Sequence, residues 1–341
     1  MCMNKKIRVL VLDDSLVFRE LLSRGISTDI SIEVVAKAVD PFDARDKILK
    51  YNPDVMTCDV EMPKMNGIDF IRRLLPQYPL PVIVVSAISD SVFDAMNVGA
   101  VDFVTKPNVQ SASNVEVFIR ELIAKIKIAA EAKIMKPEVS YQASFERNTS
   151  MDMNKVIAIG ASTGGTEAIF KILKQLPSQM PGILIVQHIP PLFSRMFAER
   201  LNNQTCFSVK EATQGDYLEP GKVLIAPGDQ HMTIKKIGDR YRVEVFSGGK
   251  VNGHCPSVDV LFESIATECK ANAVGIILTG MGYDGAKGLL AMRRKGARTI
   301  GQDEESSVVY GMPKVAFDVG AVEKQIALNK ASETLCAMLR G

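Results

Sequence analysis

Short, nearly unbroken apolar runs that stop abruptly on polar side chains recur along this chain, and no other feature restricts its fold so tightly. Residues 7–12 lead into Asp13 and Asp14, 54–58 into Asp59, 82–85 into Ser86, and 103–105 into Lys106 and Pro107. The pattern returns in the second half. There 156–161 lead into Ser162, 182–186 into Gln187 and His188, and 273–278 into a glycine-rich turn holding Met281 and Asp284. Runs that are apolar throughout, rather than alternating, describe strands buried on both faces. Segments of helical period lie between them, at 18–26, 44–49, 67–75 and 167–176. Strand and helix in alternation imply parallel sheets with right-handed crossovers. The expected fold class is therefore α/β, with two doubly wound parallel-sheet domains. In such sheets ligands gather beyond the carboxyl ends of the strands, where every polar residue named above falls.

A chain of 341 residues exceeds the usual size of one domain. A helix expected over 115–132 closes the first domain, and 136–150 are polar and without a steady period, as a linker would be. The expected division is 5–130, a linker over 131–153, and 154–341. A formal charge of only +2, with no dense Lys/Arg block, argues against nucleic acid and against a polybasic membrane patch. No apolar run reaches the length of a membrane span. Lys5, Lys6 and Arg8 lead into a strand rather than a signal peptide, so a cytoplasmic protein is expected. The 6 cysteines are scattered without a C-x-x-C pair, which suggests neither a disulfide framework nor a zinc site.

Three carboxylates at strand ends, Asp13, Asp14 and Asp59, offer hard oxygen ligands suited to Mg²⁺. Ser86 and Lys106 are fit to hold the oxygens of a phosphoryl group formed on one of those carboxylates, with the metal offsetting its charge. This is the chemistry of an aspartyl-phosphate site. The stretch over 5–130 closely resembles the receiver domain of two-component response regulators, which has a flavodoxin-like fold. The resemblance implies that Asp13 and Asp14 are the metal-binding pair, that Asp59 is the phosphoacceptor, and that Ser86 and Lys106 contact the phosphoryl group. It further implies that the Glu61 carbonyl completes the Mg²⁺ shell, that Phe103 is the switch aromatic, and that a histidine kinase is the phosphodonor. The segment between Ser86 and Lys106 looks about one helical turn short for this class, a turn being about 3.6 residues.

In the second half, Gly160, Ser162 and Gly164 fit the G-x-S-x-G nucleophile-elbow spacing between a strand and a helix. A serine hydroxyl needs a base before it attacks, and small neighbours leave room for one. The same turn also suits a phosphate cradle. A dinucleotide site would want an acidic residue closing the next strand, however, and Gln187 and His188 stand there. With His188 as general base and Asp284 as its orienter, the strand ends supply a triad. His231 and His254 are the alternative bases. The order Ser, His, Asp differs from the Ser, Asp, His order of α/β-hydrolases, so that fold is not expected.

The stretches 160–165, 186–190, 226–232, 254–259, 278–285 and 302–313 together resemble the catalytic domain of the chemotaxis protein-glutamate methylesterases. What this implies is a Rossmann-like esterase domain with Ser162 as nucleophile, His188 as base, Asp284 as orienter and the Met281 N–H as oxyanion donor. Thr163 and His254 match secondary site positions, and the esterase site needs no cofactor. The implied activity is hydrolysis of glutamyl methyl esters, with deamidation of glutamines, on methyl-accepting chemotaxis receptors. Receivers of this kind pack over the catalytic face and release it when phosphorylated. Two other readings stand beside it: a receiver-gated esterase or amidase acting on another protein, and a phospho-gated binding module without enzymatic activity.

Overall fold

A computed structural model describes residues 5–87, 91–107, 111–134 and 151–340. They fall into two compact units, drawn from residues 1–138 and 139–341.

The first unit runs β1 (Ile7–Leu12), α1 (Leu16–Ile26), β2 (Ile32–Ala38), α2 (Pro41–Tyr51), β3 (Val55–Asp59), α3 (Gly67–Leu74), β4 (Val82–Ser86), α4 (Ser91–Asn97), β5 (Asp102–Thr105) and α5 (Ala112–Ala130). The strands pair in the order β2-β1-β3-β4-β5, all parallel. Every residue of β3 and β4 is buried, which is why those runs are continuous rather than alternating. Helix starts are set by local capping. The Ser15 and Asn66 side chains accept from the N–H groups of Phe18 and Asp69, and Asp40 accepts from Phe42 and Asp43 ahead of Pro41. Strand β2 was not anticipated, because Glu33 and Lys37 interrupt its apolar run on one exposed face. Helix α4 is 7 residues long, and the segment before it, 88–90, lies outside the described residues.

The second unit opens with β6 (Val156–Ala161), α6 (Gly165–Gln175), β7 (Gly182–Gln187), α7 (Pro191–Gln204), β8 (Ser208–Glu211), β9 (Tyr217–Leu218), β10 (Lys222–Ile225), β11 (His231–Ile237) and β12 (Arg240–Phe246). It continues through α8 (Val258–Glu268), β13 (Ala273–Ile277), α9 (Ala286–Arg294), β14 (Arg298–Gln302), α10 (Met312–Asp318), β15 (Lys324–Ile326) and α11 (Ala331–Leu339). Seven strands form one parallel sheet in the order β15-β14-β13-β6-β7-β10-β8. Strands β6, β7 and β13 lie at its centre, buried throughout. An antiparallel sheet, β11-β12-β9, was likewise not anticipated. Its signal was present in the Gly238 and Asp239 turn between two runs of partly alternating residues. Of the expected linker, 135–150 lie outside the described residues, whereas Asp152 donates its N–H to the Leu339 carbonyl at 3.0 Å.

Candidate functional site

Register brings the second unit's polar strand ends together. Strands β6 and β7 pair with Ala161 opposite Gln187, so Ser162 and His188 leave neighbouring strands side by side. The His188 N–H donates to the Ala161 carbonyl at 3.1 Å, and the buried Gln187 amide donates to both the Ser162 and His188 carbonyls, at 2.8 and 3.1 Å. On the other side of β6, the Ser162 N–H donates to the Thr279 carbonyl at 3.0 Å, which ties the serine to the loop after β13. A Cβ on Gly280 would lie 2.6 Å from Ser162 Cβ, so only glycine permits this approach. That loop carries Met281 and Asp284. No intramolecular partner of the Met281 N–H occurs among the described residues.

Asp284 is 1% exposed, and His188 Nε2 lies 2.9 Å from its Oδ2. The carboxylate is held by more than the histidine. It accepts from Ser257 Oγ at 2.8 Å, Asn252 Nδ2 at 2.8 Å, and the backbone N–H groups of Val258 at 2.7 Å and Asp259 at 3.3 Å, at the N-terminus of α8. Burial opposes its charge. The bonds from His188, Asn252 and Ser257 nevertheless hold it well below the usual carboxylate range. An ionised Asp284 facing Nε2 fixes the proton there, which leaves His188 Nδ1 unprotonated, and that atom is buried without a hydrogen-bond partner. No hydrogen bond joins the Ser162 hydroxyl to His188 among the described residues, a looseness common in substrate-free sites.

His254 stacks face to face on His188, with centroids 3.7 Å apart and planes within 7°. Burial, then the neighbouring His188, pushes its pKa down to about 4, so it is neutral near pH 7. Thr163 is buried in the turn and its carbonyl accepts from Thr279 Oγ1 at 3.0 Å. His231 is 2% exposed, with Nε2 facing the Gly249 carbonyl at 2.9 Å and Nδ1 accepting from the Ser257 N–H at 3.3 Å. With both nitrogens engaged, it braces Ser257, one of the donors to Asp284.

In the first unit, one carboxylate oxygen each from Asp13, Asp14 and Asp59 lie within 4.8 Å of one another. Lys106 Nζ bridges Asp13 Oδ2 at 2.9 Å and Asp59 Oδ2 at 2.6 Å. Burial raises the pKa of Asp13 and Asp59 against the pull of Lys106, with the charge of Asp14 adding to the rise at Asp13 and that of Asp13 to the rise at Asp59. One lysine does not neutralise the group, and this donor set of hard oxygens fits a divalent cation. Ser86 Oγ is buried without a partner beside this cluster's strand ends. Glu61 is exposed, and its N–H donates to Asp59 Oδ1 at 3.2 Å. Phe103 is buried and packs edge-on against Phe93.

Residues 157–335 match the family described as CheB methylesterase, and 9–115 match the response regulator receiver domain. The chain is 58% identical to a protein-glutamate methylesterase/protein-glutamine glutaminase 2 of Syntrophomonas wolfei, over 98% of each chain. It is 49% identical to a protein-glutamate methylesterase/protein-glutamine glutaminase of Syntrophotalea carbinolica, over 99% of each. The chain belongs to the CheB methylesterase family. The crystal structure of the Thermotoga maritima CheB methylesterase catalytic domain superposes on 54% of this chain and 98% of that one, with a TM-score of 0.53 and 36% identity. The CheB methylesterase unit here is thus an α/β hydrolytic domain joined to a receiver, and no helix among the described residues is long and apolar enough to cross a membrane.

Sequence reasoning placed Ser162, His188, Met281 and Asp284 where β6, β7 and β13 end. It missed Gln187 as a brace, and Asn252 and Ser257 as donors to Asp284. Asn252 and Ser257 sit in an irregular segment before α8, and only the fold carries that segment to the far end of β13. The one available signal was Ser257 standing at the N-cap of α8.

Proposed function

We propose that this chain hydrolyses glutamyl methyl esters, and deamidates glutamines, on methyl-accepting chemotaxis receptors through Ser162, His188 and Asp284. The observation that carries this reading is the His188–Asp284 pair at 2.9 Å beside a serine held at the neighbouring strand end, in a chain whose relatives bear the methylesterase and glutaminase names. In the reaction, His188 Nδ1 takes the Ser162 proton as Oγ attacks the ester carbonyl. The ring becomes an imidazolium, which ionised Asp284 stabilises through Nε2–H. The tetrahedral oxyanion is received by the Met281 N–H. His188 then returns its proton to the departing methoxide, and water cleaves the acyl-enzyme by the same route. Neutral His254 backs the ring, and Thr163 shapes the turn.

In the receiver, Asp13, Asp14, Asp59 and the Glu61 carbonyl would hold Mg²⁺, which when bound offsets the charge of an incoming phosphoryl group. Asp59 accepts that group from a chemotaxis histidine kinase, and Ser86 and Lys106 hold its oxygens. Phosphorylation raises the esterase rate. The test is methanol release from a methylated chemoreceptor fragment, with and without Mg²⁺ and a small phosphodonor, for the wild type beside Ser162→Ala. Release that requires Ser162 and rises with phosphodonor is the expected result. No release, with Asp59 still phosphorylated and Ser162 still labelled by a fluorophosphonate, would point instead to another ester or amide substrate.

A further inference from the structure

Asp284 is not the only buried carboxylate at this end of the sheet. Asp259, in the first turn of α8, is 5% exposed, and its Oδ1 accepts from the Gly288 N–H at 2.6 Å. Between the two stands Asn252. Its side-chain amide donates to Asp259 Oδ2 at 2.7 Å and to Asp284 Oδ1 at 2.8 Å. The backbone there is left-handed, with φ 53°, a conformation asparagine tolerates better than most residues. An amide is well suited to the place, because its NH₂ has two donors and no charge. A lysine would bring a buried charge of its own, and an aspartate would add a third carboxylate.

We propose that Asn252 is a positioning residue for the esterase reaction, linking Asp284 to Asp259 and joining Ser257 Oγ and the Asp259 N–H on Asp284 Oδ1, so that Oδ2 stays turned toward His188 Nε2. The inference rests on the triad reading above and extends it to a residue that does not touch substrate. Two buried like charges repel, and a donor common to both is what lets them sit side by side. Asp259 and Asp284 stand on opposite sides of their ordinary range. Burial, with the charge of Asp284 contributing, raises Asp259, while the donors around Asp284 hold it low against its own burial. The other charged or titratable groups acting on the pair are His188 and His254 on one side, and Glu263 and Lys287 along α8 and α9 on the other. None of them donates a hydrogen bond between the two carboxylates.

The test uses the full chain, methanol release, and the tautomer of His188 read by ¹⁵N resonance, which is practical with only 3 histidines. Asn252→Gly accepts the left-handed backbone and removes both donors. The expected result is a fall in kcat of roughly tenfold or more, the scale of a lost hydrogen bond to a charged group, with KM little changed. The His188 signal should also shift from the Nε2–H form toward a mixture with Nδ1–H. Asn252→Asp, nearly isosteric, should cost at least as much, since three carboxylates then meet with no shared amide. If Asn252→Gly does not fold, Asn252→Asp decides alone. A wild-type kcat in the folded variants would overturn the proposal. So would a lower kcat with an unchanged His188 tautomer, because that is what a merely structural role would give. Asp284→Asn separates the two levels of argument. If it leaves kcat intact, the triad reading fails. If it abolishes turnover while the Asn252 variants retain it, only the present inference fails.

Discussion

The two units of this chain solve the same placement problem in opposite ways. Both put carboxylates at the ends of parallel strands, yet one leaves them short of partners and the other surrounds them. Asp13 and Asp59 share Lys106, and burial lifts both above the ordinary carboxylate range. Asp284 takes hydrogen bonds from two side chains and two backbone N–H groups besides His188, and is held low. A frustrated cluster is one that gains by binding something, on the proposed reading a cation and then a phosphoryl group. A satisfied carboxylate gains nothing further and serves as a fixed charge. The lesson is that the hydrogen-bond inventory around an acid, more than its position in the fold, separates an acceptor from an orienter.

The largest effect that would sharpen this contrast is at the nucleophile. Ser162→Ala should lower kcat by roughly 10⁴-fold or more, measured as methanol release, and near-full activity would remove Ser162 from the mechanism. Next comes Asp284→Asn, which keeps the shape of the fixed charge but not the charge. A loss of roughly 10³–10⁴-fold is expected, with Ser162 still present and the fold intact by circular dichroism. Gly280→Ala should follow at roughly 10²-fold. Its Cβ would meet both Ser162 Cβ and Met312 Sδ at 2.6 Å, displacing the serine from the Met281 loop.

On the receiver side, Asp59→Asn should abolish stimulation by phosphodonor while leaving basal esterase activity in place. Equal stimulation of variant and wild type would break the link between the two sites. The smallest effect is on stability. An acid whose pKa is raised on folding destabilises the folded state above its unfolded value, and that cost vanishes as pH falls back through the raised pKa. Without Mg²⁺ at pH 7, Asp59→Asn should therefore stabilise the receiver, because burial raises the Asp59 pKa and the substitution removes the charge that burial penalises. The gain should shrink as pH is lowered toward about 4 in thermal melts. Asp284 has the opposite sign. Its contribution is present above the unfolded value of about 3.9 and is lost as pH falls below it.

The sheet centres were legible because a strand buried on both faces leaves a continuous apolar run, as at 82–85 and 156–161. The polar residues closing those runs were legible for the same reason, since burial stops where the strand does. The network around Asp284 was not, because Asn252 and Ser257 lie far from it in sequence and follow no period. Strand β12 was missed because its partial alternation of Tyr241, Val243 and Val245 is broken up by Arg240, Arg242 and Glu244. His231 remained an open candidate base until its ring was seen engaged at both nitrogens.

The segment after β14 has a consequence for when this enzyme becomes able to act. The Gly280 N–H donates to Val309, the Val309 N–H to Thr279 Oγ1, and the N–H groups of Gly311 and Met312 to the Gly280 carbonyl, while Val308 packs against Gly164 in the serine's own turn. A nascent chain that has emerged through Asp284 already contains serine, histidine and aspartate, but not the strap that sets the loop between them. On the proposed reading, the segment that fixes the serine's turn is therefore made only after all three of these residues. On that reading, a polypeptide cut short before Val308 holds the three residues without the hydrogen bonds that set the loop between them.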